Sequence, residues 1–279
     1  MRVHVLQLAY GDDEPVAARV ARVADLVAAQ GGADLVVLPE LWGPTGFGYR
    51  GWAAAAEPID GPTVSAIANA ARRAGVSVHA GSIIEQSGPG AVGAELGAQG
   101  RGRWNTSVLI GPDGGVRASY RKIHRFGFAD GEPSLIEAGE ELVTADLETA
   151  RGPVRLGLAT CYDLRFPELF RALLDAGSQV FVIPAAWPAA RVDHWTLLGR
   201  ARAIENQCAV IQCNTAGTHA RMAMGGHSQV ISAVGEVLAE AGEEEEVLVV
   251  DLDVEAIGAW REKFPVLADR QLTADRKLT

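Results

Sequence analysis

Short continuous apolar runs alternate along this chain with longer stretches in which apolar residues recur every three or four positions. That is the pattern of strands alternating with helices. The first run, 3–8, predicts a strand. Asp12, Asp13 and Glu14 before Pro15 make a helix-start signal. Val16, Val20, Val23 and Val27 then form one apolar face, which Gly31 and Gly32 end. The run 34–39 is apolar after its first residue, as a strand covered on both faces would be, and Glu40 stands just past it. Helical spacing returns over 63–74, with Val64, Ile67, Ala68 and Ala71 on one side and Gly75 as the stop. A strand is predicted over 76–84. The glycine-rich stretch 86–103 predicts an exposed loop. The segments 104–110 and 116–120, on either side of a Pro-Asp-Gly-Gly turn, predict a hairpin.

The second half repeats the alternation. A strand over 154–160 ends at Cys161, followed by a helix over 167–176 and a strand over 180–183. A helix over 192–208 carries Leu197, Ala201, Ile204 and Cys208 on one face. Strands follow at 209–213, 229–233 and 247–252. The class is α/β, and with no linker-like segment the expectation is one domain over 1–279. The stretch 35–42 (LVVLPELW) resembles 180–187 (VFVIPAAW), an internal echo that two similar α/β halves packed sheet to sheet would produce.

Composition narrows the function. The chain has 279 residues, 48% of them hydrophobic, which excludes a disordered protein. Lys and Arg number 25 against 35 Asp and Glu, a net charge of -10, which argues against nucleic acid or an anionic membrane as partner. No apolar run is long enough to span a bilayer. The first residues read straight into a strand, without a leader's basic and apolar regions. Three cysteines make no disulfide framework. A soluble cytoplasmic protein is expected.

Candidate chemistry lies at strand ends. Cys161 stands where an apolar strand gives way to a helix, the edge at which α/β sheets bind ligands and where backbone amides favour a thiolate. Cys208 and Cys213 read as core, and no spacing of Cys and His suits zinc. Glu40, next to Trp42 at its own strand end, has the setting of a general base. Lys122 leaves the hairpin in a position to stabilise an oxyanion, while Glu132 lies in a turn. The spelling Gly-x-Gly-x-x-Gly at 88–93 lacks the helix that dinucleotide binding requires. Asn105-Thr106-Ser107 spells a glycosylation acceptor without meaning in a cytoplasmic protein.

Together these stretches resemble the carbon–nitrogen hydrolase (nitrilase) superfamily over nearly the whole chain. The residues that carry the likeness are Leu38-Pro39-Glu40, Tyr120-Arg121-Lys122-Ile123-His124 and the run from Cys161 to Glu168, which reads CYDLRFPE. The segment holding Gly131-Glu132 and Ala138-Gly139 is similar to the one that carries a second active-site glutamate. The context of Cys161 and the late stretch 261–266 (REKFPV) are closest to the ω-amidase branch. Thr160 before the cysteine, and the segment 125–128 (RFGF), depart from that branch.

The resemblance implies a four-layer α-β-β-α sandwich, association into homodimers or larger homo-oligomers, and no metal or organic cofactor. It implies a Glu40–Lys122–Cys161 triad, assisted by Glu132, that cleaves a small amide through a thioester. The lead substrate is the ω-amide of a dicarboxylic acid, with Arg165 as its carboxylate-binding residue unless Arg165 pairs with Asp163 or Glu168. Tyr162, whose backbone N–H would join Lys122 at the oxyanion, and Trp187 and Tyr49 complete the expected pocket. The same triad would serve an N-carbamoyl amino acid or amine. A non-catalytic binding module on this fold is the alternative from another class.

Overall fold

In the computed structural model, which describes residues 1–88, 93–128 and 130–271, the alternating runs become two six-stranded sheets. The first half supplies β1 (Arg2–Gln7), α1 (Val16–Ala28), β2 (Leu35–Val37), the single turn α2 (Trp52–Ala55), α3 (Pro62–Ala74), β3 (Ser77–Gln86), β4 (Arg103–Ile110), β5 (Val116–Arg121) and the short α4 (Glu132–Leu135). The second supplies β6 (Thr144–Thr149), β7 (Gly152–Leu158), α5 (Pro167–Asp175), β8 (Val180–Pro184), α6 (Val192–Asn206) and β9 (Ala209–Cys213). A two-stranded ribbon, β10 (Thr218–His219) with β11 (Met222–Ala223), precedes β12 (Gln229–Ile231) and β13 (Val237–Glu240). Strand β14 (Glu246–Asp251) returns to the first sheet, and α7 (Glu255–Lys263) follows it.

Side chains alternate across each strand, and the alternation builds the layers. Leu35 and Val37 of β2 face inward with Val3 and Val5, against Leu156, Leu158, Val180 and Val182 of the other sheet. Val36, between them, faces outward onto Val23 and Val27 of α1 and Ile67 of α3. Phe181 of β8 likewise faces Leu169, Phe170 and Leu173 of α5. The result is an α-β-β-α sandwich. Burial on both faces explains why these strands read as unbroken apolar runs, each buried Leu, Val or Phe contributing about 1.5–3 kcal/mol.

The internal echo has a topological cause. The first sheet runs β14-β1-β2-β3-β4-β5 and the second β6-β7-β8-β9-β12-β13. In both, the successive pairings are antiparallel, parallel, parallel, antiparallel and antiparallel. Strands β2 and β8, which carry the similar stretches, hold the same third place. The ends of these parallel strands meet across the sandwich, where the Glu40 N–H donates to the Ala185 carbonyl at 3.3 Å.

Several expectations are corrected. Helix α6 does not bury the face holding Leu197, Ala201 and Ile204. Leu197 is 66% and Ile204 53% exposed, while Trp195, Gly199, Arg202, Ala203 and Asn206 are buried. The helix lies close to β9 at Gly199, where a Cβ would overlap the Gln212 side chain, and its buried Arg202 donates to the Leu164 carbonyl. Cys208 lies beyond the helix, after a left-handed Gln207. Asp12 does not cap α1. It accepts the Ala220 N–H instead, and α1 begins at Val16 with Pro15 at the N-cap and no side-chain cap. The loop after β3 is shorter than 86–103, and most of the glycine spelling at 88–93 lies outside the described residues. Its last glycine opens a single 3-10 turn, Gly93–Leu96. Among the described residues no helix is long and apolar enough to cross a membrane.

Candidate active site

The nucleophile turn is built by one buried carboxylate. After β7 the chain turns through a 3-10 helix, Cys161–Arg165, and Cys161 adopts a left-handed φ of 49°. A non-glycine residue held there costs on the order of 1–3 kcal/mol, so its surroundings must impose it. Asp163, fully buried, accepts the Thr160 N–H at 2.9 Å while its own N–H donates to the Thr160 carbonyl. Its other contacts reach the segment carrying Lys122. Tyr120 Oη donates to it at 2.7 Å, the His124 N–H at 3.0 Å, and His124 Nδ1 lies 2.7 Å away. One side chain therefore fixes the cysteine turn against the segment that follows β5.

Three further elements converge on that turn. Glu40 comes from the end of β2, Lys122 from the end of β5, and Glu132 from the first turn of α4; all three side chains are buried. Lys122 Nζ donates to Glu40 Oε1 at 2.8 Å and to Glu132 Oε1 at 3.0 Å. Asn105 Nδ2, from β4, donates to the same two oxygens at 2.8 and 3.2 Å. Backbone donors fix the outer oxygens: the Ala186 N–H reaches Glu40 Oε2 at 2.9 Å and the Phe126 N–H reaches Glu132 Oε2 at 2.6 Å. An ammonium has three donors, so Lys122 keeps one for the space beside Cys161.

The charges follow from this packing. Burial alone would pull Lys122 down, but the carboxylates of Glu132 and Glu40 outweigh it and hold the ammonium well above its ordinary range. Burial raises Glu132, with the charge of Glu40 adding to it and Lys122 opposing. Burial, then the neighbouring Glu40 charge, push the Cys161 thiol well above the usual range. This corrects the expectation of a thiolate stabilised by backbone amides. The adjoining Glu40 carboxylate is the group placed to take the thiol proton during attack.

The cluster floors an open cavity of about 390 Å³. Every residue expected at the site reaches it: Glu40, Lys122, Glu132 and Cys161 below, with Tyr49, Tyr162, Arg165 and Trp187 among the walls. Burial, then the charge of Glu132, push the Tyr49 hydroxyl up to about 12, so it stays a donor. Arg165 pairs with neither Asp163 nor Glu168. Its Nη1 and Nη2 lie 3.3 Å from His194 Nδ1, and its Cζ stands 4.7 Å from the centre of the Trp187 ring. Sequence reasoning missed Asn105, the Ala186 amide and the Arg191 wall. For Asn105 the sequence carries no distinct signal, since Arg103, Thr106 and Ser107 are polar neighbours in the same strand. Cys208 and Cys213 lie in the core, as expected.

Comparison with known proteins places this geometry. The carbon–nitrogen hydrolase family model matches residues 2–262. A 2-oxoglutaramate amidase of Paenarthrobacter nicotinovorans is 44% identical over 96% of this chain and 89% of its own. The ω-amidase NIT2 of Xenopus tropicalis is 33% identical over 88% of this chain and 85% of its own. Among solved structures, XC1258 of Xanthomonas campestris, a CN-hydrolase superfamily protein, superposes with a TM-score of 0.85 at 29% identity, covering 98% of both chains.

Proposed function

This chain belongs to the carbon–nitrogen hydrolase family, and from that premise we propose that it is an amidase hydrolysing the ω-amide of a small dicarboxylic acid. The observation that carries the reading is the buried Lys122, held between Glu40 and Glu132 beneath a cavity that also receives Cys161 and an Arg165 with no carboxylate partner among the described residues. Relatives named for 2-oxoglutaramate and for ω-amides support the same kind of substrate.

Each residue then has a role set by its position. Glu40 takes the thiol proton as Sγ attacks the amide carbon. Charge developing on the carbonyl oxygen meets the spare Lys122 donor and the Tyr162 N–H, which at the first turn of a 3-10 helix has no acceptor within the helix. One such donor is worth about 2.7–4 kcal/mol of barrier. Glu40 returns the proton to nitrogen, the C–N bond breaks, and ammonia leaves a Cys161 thioester. Water gives a proton to Glu40 and attacks the thioester, releasing the acid and restoring the thiol. Glu132 keeps Lys122 charged and in place. Arg165 grips the distal carboxylate, with Trp187 and Tyr49 setting the walls.

The test is ammonia release from glutaramate, N-carbamoylglycine and a matched nitrile, by the wild type and by Cys161→Ala. Wild-type release from glutaramate, abolished in the variant, is the expected result. Release from N-carbamoylglycine alone would transfer the reading to carbamoyl hydrolysis. Silence with all three would point to a binding module.

The same reading takes 1–279 as one domain and the protein as a cytoplasmic homodimer or larger homo-oligomer. Leu197 and Ile204, apolar yet turned outward on α6, favour association. The three unpaired cysteines fit a reducing compartment. Light scattering should show a mass at least twice 29.4 kDa.

A further inference from the structure

The cavity over Cys161 receives a second guanidinium that none of these steps uses. Arg191 closes the 3-10 turn Ala189–Arg191 just before α6 and lines the same cavity as Cys161, Tyr162 and Arg165. Its backbone is pinned. The Arg191 carbonyl accepts the Trp187 indole N–H at 2.7 Å, and its N–H donates to the Pro188 carbonyl at 3.0 Å. Its Cζ lies 5.7 Å from the centre of the Phe126 ring.

Neither cation is neutralised. Among the described residues, neither Arg165 nor Arg191 forms an ion pair with a carboxylate. Three described carboxylates at the cavity floor and the nucleophile turn are engaged elsewhere: Glu40 and Glu132 by Lys122, Asn105 and backbone amides, and Asp163 by Thr160, Tyr120 and His124. The two guanidiniums also sense each other. Burial first, and the Arg191 charge second, weaken the hold of Arg165 on its proton. Two unpaired like charges at one cavity repel, and an anion between them relieves the repulsion.

We propose that Arg191 is the second half of a two-guanidinium clamp, which together with Arg165 holds the distal carboxylate of the substrate. The proposal rests on the amidase reading and deepens it. A carboxylate offers two oxygens and about four lone-pair positions, so it can be bridged by two planar guanidinium groups. One arginine leaves the substrate free to swing about that contact. Two arginines from different elements, the nucleophile turn and the start of α6, fix its direction and hence the placement of the amide carbon at Sγ.

The experiment compares glutaramate with valeramide, which has the same number of carbons in its chain but no carboxylate, for the wild type, Arg191→Gln and Arg191→Lys. Arg191→Gln should lower the preference for glutaramate over valeramide by tenfold or more, chiefly through KM, and Arg191→Lys should recover part of it. Binding of glutarate is then measured by calorimetry in a Cys161→Ala background. Adding Arg191→Gln should weaken it by tenfold or more, a readout independent of turnover. An unchanged preference and unchanged glutarate binding in a folded Arg191→Gln protein overturn the clamp. A wild type that prefers valeramide also overturns it while leaving amidase activity intact. A wild type that hydrolyses neither amide overturns the underlying reading instead.

Discussion

Asn105 shows how much a site depends on a residue that does no bond-breaking. Its Nδ2 stands between two carboxylates that share one lysine, and it supplies the hydrogen bonds that let both remain in one buried space. A hydrogen bond to a charged group contributes about 1.5–3 kcal/mol. Asn105→Ala should therefore lower kcat by roughly 10- to 100-fold with a smaller change in KM. Asn105→Asp should be worse, since a third carboxylate joins Glu40 and Glu132. It should also move the acidic limb of the kcat profile to higher pH, because like charges favour protonation. A profile identical to wild type would rule out the bridging role. The raised Cys161 thiol, open to the cavity, gives a second expectation. Iodoacetamide should alkylate Cys161, which opens to the cavity, well ahead of Cys208 and Cys213, which are fully buried. Glu40→Gln removes the negative charge that helps raise that thiol, so the thiolate becomes easier to form and alkylation should run at least as fast as in the wild type. A clearly slower reaction would mean that Glu40 acts chiefly as the acceptor of the thiol proton.

At the scale of elements, the strand ends hold the chemistry and the backbone holds the strand ends. Strand β3 carries an irregularity between His79 and Ser82, and Gly81 sits in it with φ 67°. A Cβ at that position would overlap the Pro39 carbonyl oxygen, and the neighbouring Ser82 Oγ accepts the Leu41 N–H at 3.1 Å. The irregularity thus seats the residues on either side of Glu40. Gly81→Ala combines an unfavourable φ with a clash against backbone, so a loss of about 2 kcal/mol or more is expected. Differential scanning calorimetry should show Tm down by roughly 4–8 °C, and kcat should fall because the strand that moves carries the base. An unchanged Tm would show that β3 absorbs the methyl elsewhere.

This arrangement also explains what the sequence made legible. Glu40 and Cys161 stand out because each follows a mostly apolar, mostly buried strand and leaves a polar residue where it ends. Lys122 follows β5, exposed along most of its length, and stands out only through the stretch Tyr120-Arg121-Lys122-Ile123-His124. Asn105 does not, because it lies inside β4, where a polar residue reads as one more surface position. The Ala186 amide acts through its backbone and leaves no mark in the side-chain pattern. Helix α6 misleads for a different reason. Its buried side satisfies Arg202 and Asn206 through carbonyls at 38 and 4 residues' distance, while its apolar Leu197 and Ile204 face outward.

For the whole molecule, the doubling of the sheet puts the site on the seam between two halves, so anything that loosens the inter-sheet core loosens the site. Acid stability is a property of the same scale, and two buried histidines set it. His79 of β3 and His219 of β10 are fully buried, and neither ring nitrogen of either has a hydrogen-bond partner. His219 stacks on the Tyr10 ring at 4.4 Å. Burial is the largest cause for each and lowers both to about 4. The sign follows directly. The unfolded chain binds protons at these residues near pH 6.5 and the folded one only near pH 4, so between those values the unfolded state holds more protons. Stability therefore falls as pH drops through this window and is unaffected by these groups above it. Each residue accounts for up to about 3 kcal/mol at pH 4, a large share of a domain's usual 5–15 kcal/mol. Carboxylates with lowered values, such as Glu14 and Asp175, lose their contribution only at more acid pH. The first stage of acid destabilisation should thus belong to the histidines. Denaturant unfolding at intervals from pH 7.5 to 4.5 should show ΔG declining below about pH 6.5, with a shallower slope in His79→Leu. The decline should be shallower again when His219→Leu is added. A flat profile for the wild type, or the same slope in all three proteins, would exclude this account.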